Sequence, residues 1–254
     1  MKELIKRYSA LSFCVVVLLL SGLLLLLHIA FPAAGDYSVS FPQLAPTLGV
    51  LVLCLFEGDF APFAGILRRL KPSKAHLKGY ACAVLLPVIL VALSAWVLSL
   101  LGVPYRPWGS GAIFYLLNLL FMLLGCFGEE IGWRGFLLPT LQKRLSPFVS
   151  ALLVGVFWGA WHMNFADGIG GFVFYTVTVT EVSILYTWIY NKTGGSVLAM
   201  VLSHFMFNLP SHLLLWERFG VTLYMVQTVL FGIACAVILI ASRKDFLSKP
   251  LQTV

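Results

Sequence analysis

The chain has 254 residues, 60% of them hydrophobic, with 17 Lys and Arg against 10 Asp and Glu, a net charge of +7. Charged residues make up 11% of it, against about 25% in soluble domains, and the mean hydropathy is +0.96. This excludes a soluble globular enzyme, a disordered chain and a disulfide-stapled secreted module, and makes the bilayer the natural solvent.

A bilayer core about 30 Å thick needs about 20 apolar residues per helix. Runs of this kind fall at approximately 9–31, 43–57, 79–102, 111–139, 148–166, 171–191, 195–210 and 220–241, the second and seventh being short. The first contains Leu23 to Leu27. A cleaved signal peptide is the rival reading there, because Ala30, Ala33 and Ala34 offer a cleavage site. The run exceeds a typical signal core and more spans follow, so it reads as a membrane span. With the N-terminus inside, the Lys/Arg distribution leaves only Arg106 and Arg218 in outer loops and Arg134 within a span. The positive-inside rule then predicts an all-α integral membrane protein, a bundle of about eight transmembrane helices with N- and C-termini cytoplasmic. The +7 balance reports topology, and no nucleic-acid partner is implied. The basic loop from Arg68 to Lys78 sets topology and meets lipid headgroups, and Trp96, Trp108, Trp188 and Trp216 suit interfacial belts. The five cysteines, Cys14, Cys54, Cys82, Cys126 and Cys235, lie in apolar runs without CxxC spacing and read as small hydrophobes.

Polar residues inside the apolar runs are costly and mark function. In the fourth run, Glu129, Glu130 and Arg134 interrupt a membrane helix. Glu130 and Arg134 are four apart and share a face, and the planar guanidinium suits a buried carboxylate. Glu129 points about 100° away, free for another task. The fifth run carries Trp158 and His162. The seventh carries His204 and Asn208, again four apart. Positions 129 and 162 lie nearly symmetrically about a turn at Lys143 to Pro147. Antiparallel helices leaving that turn bring both to a similar depth, roughly 24 Å away at about 1.5 Å per residue. The three polar clusters are therefore expected to converge.

A carboxylate and an imidazole facing one water can activate it for attack on an amide. A second imidazole and a carboxamide can donate to the oxyanion that forms. Glu129, His162 and His204 could instead hold Zn²⁺, assembled across helices because HExxH spacing is absent. Glu181, mid-span among Thr and Ser, either lines the cavity or bonds a neighbouring helix. Asn118 reads as an interhelical hydrogen-bonding residue. His28, His76 and His212 sit near predicted interfaces without a catalytic role, and Asp167 with Gly168, Gly170 and Gly171 reads as a tight outer turn.

Glu129-Glu130-x-x-x-Arg134, Trp158-x-x-x-His162 and His204-x-x-x-Asn208, in this order on separate helices, resemble the CPBP family of CAAX proteases and bacteriocin-processing enzymes, also called Abi. That family includes the type II CAAX prenyl endopeptidases. The resemblance covers roughly 115–210. One departure is Trp158, where the family commonly has Phe. The resemblance implies an intramembrane endopeptidase whose cavity opens to the cytoplasmic side. Glu129 and His162 would activate water, His204 and Asn208 would form the oxyanion hole, and Glu130 and Arg134 would support the site. Both a metal-dependent and a glutamate mechanism are argued for the family, so zinc at Glu129, His162 and His204 stays open. The implied organisation is N-terminal spans over 1–110, a catalytic core over 111–210 and a C-terminal span with a basic tail over 211–254. The implied partners are the lipid bilayer and a membrane-associated protein or peptide substrate in the cell membrane, prenylated CAAX-type or of leader type. The competing readings are a non-catalytic immunity or scaffold protein of the same fold, and a transporter relaying through Glu129, Glu130, Arg134 and Glu181.

Overall fold

The computed structural model describes residues 7–31, 41–103, 112–215 and 220–248, without the side chains of 112–115. The described elements are all helical. They are α1 (Ser9–Ala30), a 3₁₀ turn (Phe41–Leu44), α2 (Ala45–Glu57), α3 (Ala61–Arg68), α4 (Leu77–Leu100) and α5 (Ala112–Gly132), followed by a π-helical turn (Trp133–Leu137). After them come α6 (Leu138–Gln142), α7 (Pro147–Trp161), α8 (Gly168–Lys192), α9 (Val197–Leu214), α10 (Val221–Ala241) and α11 (Arg243–Leu247).

Each of the eight expected runs is a helix. Among the described residues six are long and apolar enough to cross a membrane, and Phe41–Glu57 and Pro147–Trp161 are shorter. The fifth run, not the seventh, is therefore the second short one. The α7 helix stops at Trp161 because the chain turns at Met163, whose φ is +50°, a left-handed conformation that no helix continues. The seventh run, expected to end at Pro210, continues through it to Leu214. A proline inside a membrane helix is tolerated where neighbours and Ser or Thr hydroxyls satisfy the freed backbone. Here Ser211 Oγ donates to the Phe207 carbonyl at 2.7 Å.

The molecule presents its apolar residues outward. Leu19, Leu26 and Ile240 are 71%, 67% and 79% exposed, while α1 buries only Phe13 and Val17. Lipid accepts such a surface, so segregation by polarity runs opposite to that of a soluble protein. This is a multi-pass integral membrane protein, with the cell membrane as its expected location.

Small residues set the helix spacing. A Cβ on Gly155 would stand 2.6 Å from Thr180 Cα, and one on Gly159 would stand 2.9 Å from Thr176 Cα. Gly155 and Gly159 thus form a GxxxG stripe that seats α7 directly on the α8 backbone. Gly132 does the same for α5 against α2, where a Cβ would meet Pro46 atoms from 2.3 Å. Both contacts carry site residues.

The two ends of the bundle differ. Every described Lys and Arg except Arg134 lies at one end, where α2–α4, α6–α7, α8–α9 and α10–α11 are joined. That end is knitted together by Arg69. Its guanidinium donates to Tyr190 Oη at 2.5 Å and to the Gly135 carbonyl, and its own carbonyl accepts from Val197 N at 3.0 Å. Arg69, expected only to set topology, is thus a tether for the turn after Gly132. Pro139 brings no N–H to that turn, which accounts for a carbonyl there taking a side-chain donor. Trp188, expected at an interface, donates to Ser242 Oγ at 2.8 Å at the same end, and Trp96 is 60% exposed on α4. Trp108 and Trp216 lie outside the described residues. All five cysteines are free.

Candidate active site

A cavity of about 270 Å³ is enclosed by α5, α7, α8, α9, α10 and the turn before α2. Glu129, His162, His204 and Asn208 all line it. The convergence expected from the spacing is present in the structure.

Glu129 is 1% exposed. Its Oε2 accepts from Trp158 Nε1 at 2.6 Å and its Oε1 from Gln43 Nε2 at 3.1 Å. Two N–H donors hold the carboxylate in one orientation, and each oxygen keeps a further lone pair for water. Trp158 therefore supplies what Phe at this position cannot, a donor to the candidate base. His162 is the residue that ends α7. Its Nδ1 lies 2.7 Å from the Trp158 carbonyl. A carbonyl only accepts, so Nδ1 carries the proton and Nε2 of the neutral ring is an acceptor. The rings of Trp161 and Tyr175 stand edge-on to the imidazole, at 5.1 and 5.3 Å between centroids.

Glu130 turns away from the cavity, as the helical spacing requires. Its Oε1 accepts from Arg134 Nη1 at 2.8 Å and faces His204 Nδ1 at 2.9 Å, and Glu130 and Arg134 are both 0% exposed. One carboxylate thus joins α5, the π-helical turn and α9. The Arg134 guanidinium also lies over the rings of Trp158 at 4.1 Å and Tyr186 at 5.1 Å, a cation–π arrangement that is strongest where water is excluded. The π-helical turn directly follows Gly132, and such bulges concentrate at functional sites. With Glu130 at Nδ1, His204 has Nε2 left for another partner. The Asn208 amide faces Cys126 Sγ at 3.8 Å, a weak acceptor that a stronger one would displace.

Several contributors were not anticipated. Gln43 precedes α2, far from the motifs in sequence. Tyr175, Tyr224 and Gln227 line the cavity from α8 and α10, so the site draws on residues beyond the 111–210 core. His212, expected at an interface, also lines it, one turn beyond Asn208, and its Nδ1 lies 2.8 Å from the Asn208 carbonyl. Tyr224 accepts at Oη from Asn164 Nδ2 at 2.9 Å. A GxxxG at 155–159 was the one sequence signal that could have placed α7 against α8.

Glu181 is not among the cavity-lining residues. It packs against α10, where its Oε1 would stand 3.0 Å from a Cβ on Gly232. The relay of a transporter therefore lacks one of its four proposed members. His28 stacks edge-on with Phe41 at 5.5 Å, and His76 lies beside Gly194. Asn118 is buried.

Among the described residues, no group of three His, Cys, Asp or Glu stands where it could hold a metal ion. Both Glu129 oxygens accept N–H donors, and each imidazole commits Nδ1 to a protein acceptor or carboxylate. As arranged, Glu129, His162 and His204 do not fit a zinc ligand set.

Residues 110–210 match the family model described as type II CAAX prenyl endopeptidase Rce1-like. A curated relative, "CAAX prenyl protease 2" of Methanococcus maripaludis, is 30% identical over 141 residues, covering 50% of this chain and 51% of the relative. The chain thus matches about half the length of that relative. The family match spans Glu129, His162, His204 and Asn208 together with the Glu130–Arg134 pair. Over residues 110–210, this chain belongs to the type II CAAX prenyl endopeptidase Rce1-like family.

Proposed function

We propose that the protein is an intramembrane endopeptidase that hydrolyses a peptide bond of a membrane-associated protein or peptide. The observation that carries this reading is the meeting of Glu129, His162, His204 and Asn208, from three helices and one helix end, around a single cavity.

Water bound between Glu129 and His162 loses a proton to this pair as its oxygen attacks the substrate carbonyl carbon. His162 is poised through Nε2, the nitrogen its hydrogen bond to the Trp158 carbonyl leaves open. The tetrahedral oxyanion takes hydrogen bonds from the Asn208 amide and from His204 Nε2. Donation from Nε2 with Nδ1–H on Glu130 makes His204 an imidazolium, and Glu130 is its counter-ion. The abstracted proton passes to the leaving nitrogen, the C–N bond breaks, and a carboxylate and an amine leave. Donors fixed before reaction, in a site shielded from bulk water, give such stabilisation its strength. Glu130 and Arg134 act through His204 and Trp158 and are positioning residues. No step here passes through a metal.

The test is a quenched peptide spanning a membrane anchor, assayed with purified protein in proteoliposomes. Glu129→Gln and His162→Ala each lower kcat by about 10²–10⁴-fold, the range of a lost general base, with unchanged monodispersity and melting. Full activity in both variants overturns the assignment. Retained biological function in the Glu129→Gln strain identifies a non-catalytic protein of this fold.

A further inference from the structure

The cavity and the charges occupy opposite ends of the bundle. From Glu129 and His204, near the middle of α5 and α9, the cavity follows Asn208, Ser211 and Leu215 along α9 to the end of that helix. It reaches Leu223 in the first turn of α10 and His162 at the last turn of α7. These helix ends are the ones away from Arg69, Lys143 and Lys192. Toward the basic end the site is closed. Trp133 and Arg134 are 0% exposed and Tyr186 is 2% exposed, and beneath them Arg69 ties Tyr190 and Gly135 together. A second cavity at that end is lined by Arg69, Gly135 and Lys143 and does not include Glu129 or either catalytic-candidate His.

The Lys/Arg bias near span ends fixes which side faces the cytoplasm. Every described Lys and Arg other than Arg134 lies at the closed end. We propose that the cavity opens on the extracytoplasmic side of the membrane, and that its substrate is a peptide or membrane-protein segment presented on that face. A cytosolic C-terminal peptide would meet the sealed layer instead. This orientation is opposite to the cytoplasmic opening implied by the family resemblance. The wall toward the mouth, formed by Ser211, Leu215, Leu223, Tyr224 and Gln227, carries no formal charge and suits an apolar or neutral segment leaving the bilayer. The proposal rests on the peptidase reading for its substrate, but not for its orientation.

Two measurements separate these parts. In a cysteine-replaced full-length chain verified as active, Met163→Cys places a thiol beside the cavity end, where Met163 is 67% exposed, and Lys71→Cys places one at the basic end. Intact cells are treated with a membrane-impermeant maleimide, and permeabilised cells serve as the control. Met163→Cys labels in intact cells and Lys71→Cys only after permeabilisation. The reverse pattern, labelling of both in intact cells, or labelling of neither overturns the orientation. Terminal-peptide proteomics of membranes then compares wild type with Glu129→Gln. New termini that vanish in the variant map to extracytoplasmic segments. Termini mapping to cytosolic segments overturn the substrate class while leaving the peptidase standing. Unchanged termini overturn the peptidase reading and leave the labelling result intact.

Discussion

Breaking the Glu130–Arg134 pair from one side should cost far more than removing it from both. The two side chains are fully buried, 2.8 Å apart. Replacing Glu130 with Met strands the Arg134 guanidinium in a site without water and deprives His204 of its carboxylate. A buried charge left without its partner costs about 3–5 kcal/mol. At about 2–4 °C per kcal/mol for a chain of this size, Glu130→Met lowers the melting midpoint by about 6–20 °C, and Arg134→Met falls in the same range. The pair itself is incompletely satisfied, because Glu130 Oε2 and Arg134 Nε and Nη2 are buried without hydrogen-bond partners. Its net contribution over an apolar pair is therefore small. The double variant Glu130→Met/Arg134→Met recovers most of the lost stability, which a double-mutant cycle reads as a coupling of several kcal/mol. The cycle is measured by thermal denaturation of detergent-solubilised protein at one fixed detergent and salt concentration. Peptidase activity does not return with stability, because His204 still lacks Glu130. Single variants that melt within a degree or two of wild type, or effects that simply add, would falsify the buried-pair argument. A stable double variant with full kcat would remove Glu130 from the positioning of His204.

Trp158→Phe keeps an aromatic ring beneath Arg134 but deletes the N–H that Glu129 Oε2 accepts at 2.6 Å. A hydrogen bond to a charged group is worth about 1.5–3 kcal/mol, so kcat should fall about tenfold or more with little change in KM, while wild-type kcat would show that Gln43 alone orients the carboxylate. Gly155→Leu drives a side chain into the Thr180 backbone, 2.6 Å from the position of its Cβ. It should destabilise the protein by about 1–3 kcal/mol or more and lower activity together with stability, whereas Gly65→Leu, at a glycine with open space around it, should leave melting unchanged. Arg69→Met removes the donor to Tyr190 and Gly135 and should lower the melting midpoint without altering the orientation reported by Lys71→Cys labelling.

The part of the site legible in the sequence was the part that is expensive in lipid. Glu129, Glu130 and Arg134 stand out in an apolar helix because hydrocarbon offers no solvent for them, and a four-residue spacing sufficed to pair Glu130 with Arg134 before any tertiary contact was known. The same economy of charge made the span boundaries and the basic end readable. What stayed hidden was cheap in lipid or visible only after folding. Gln43 is an unremarkable polar residue outside the motifs until α2 packs against Gly132, and Gly155 and Gly159 carry no charge to advertise the seam that sets His162 over the cavity. His212 was assigned to an interface because the seventh run was ended at Pro210; once α9 continues to Leu214, the same residue falls one turn beyond Asn208 on the cavity wall. The error there was one of helix length, and it propagated into function. The charges report on depth and sidedness. The small residues decide which faces meet, and the orientation proposed for the cavity needs both, because neither the basic end nor the sealed layer at Trp133, Arg134 and Tyr186 would alone say which side of the membrane supplies the substrate.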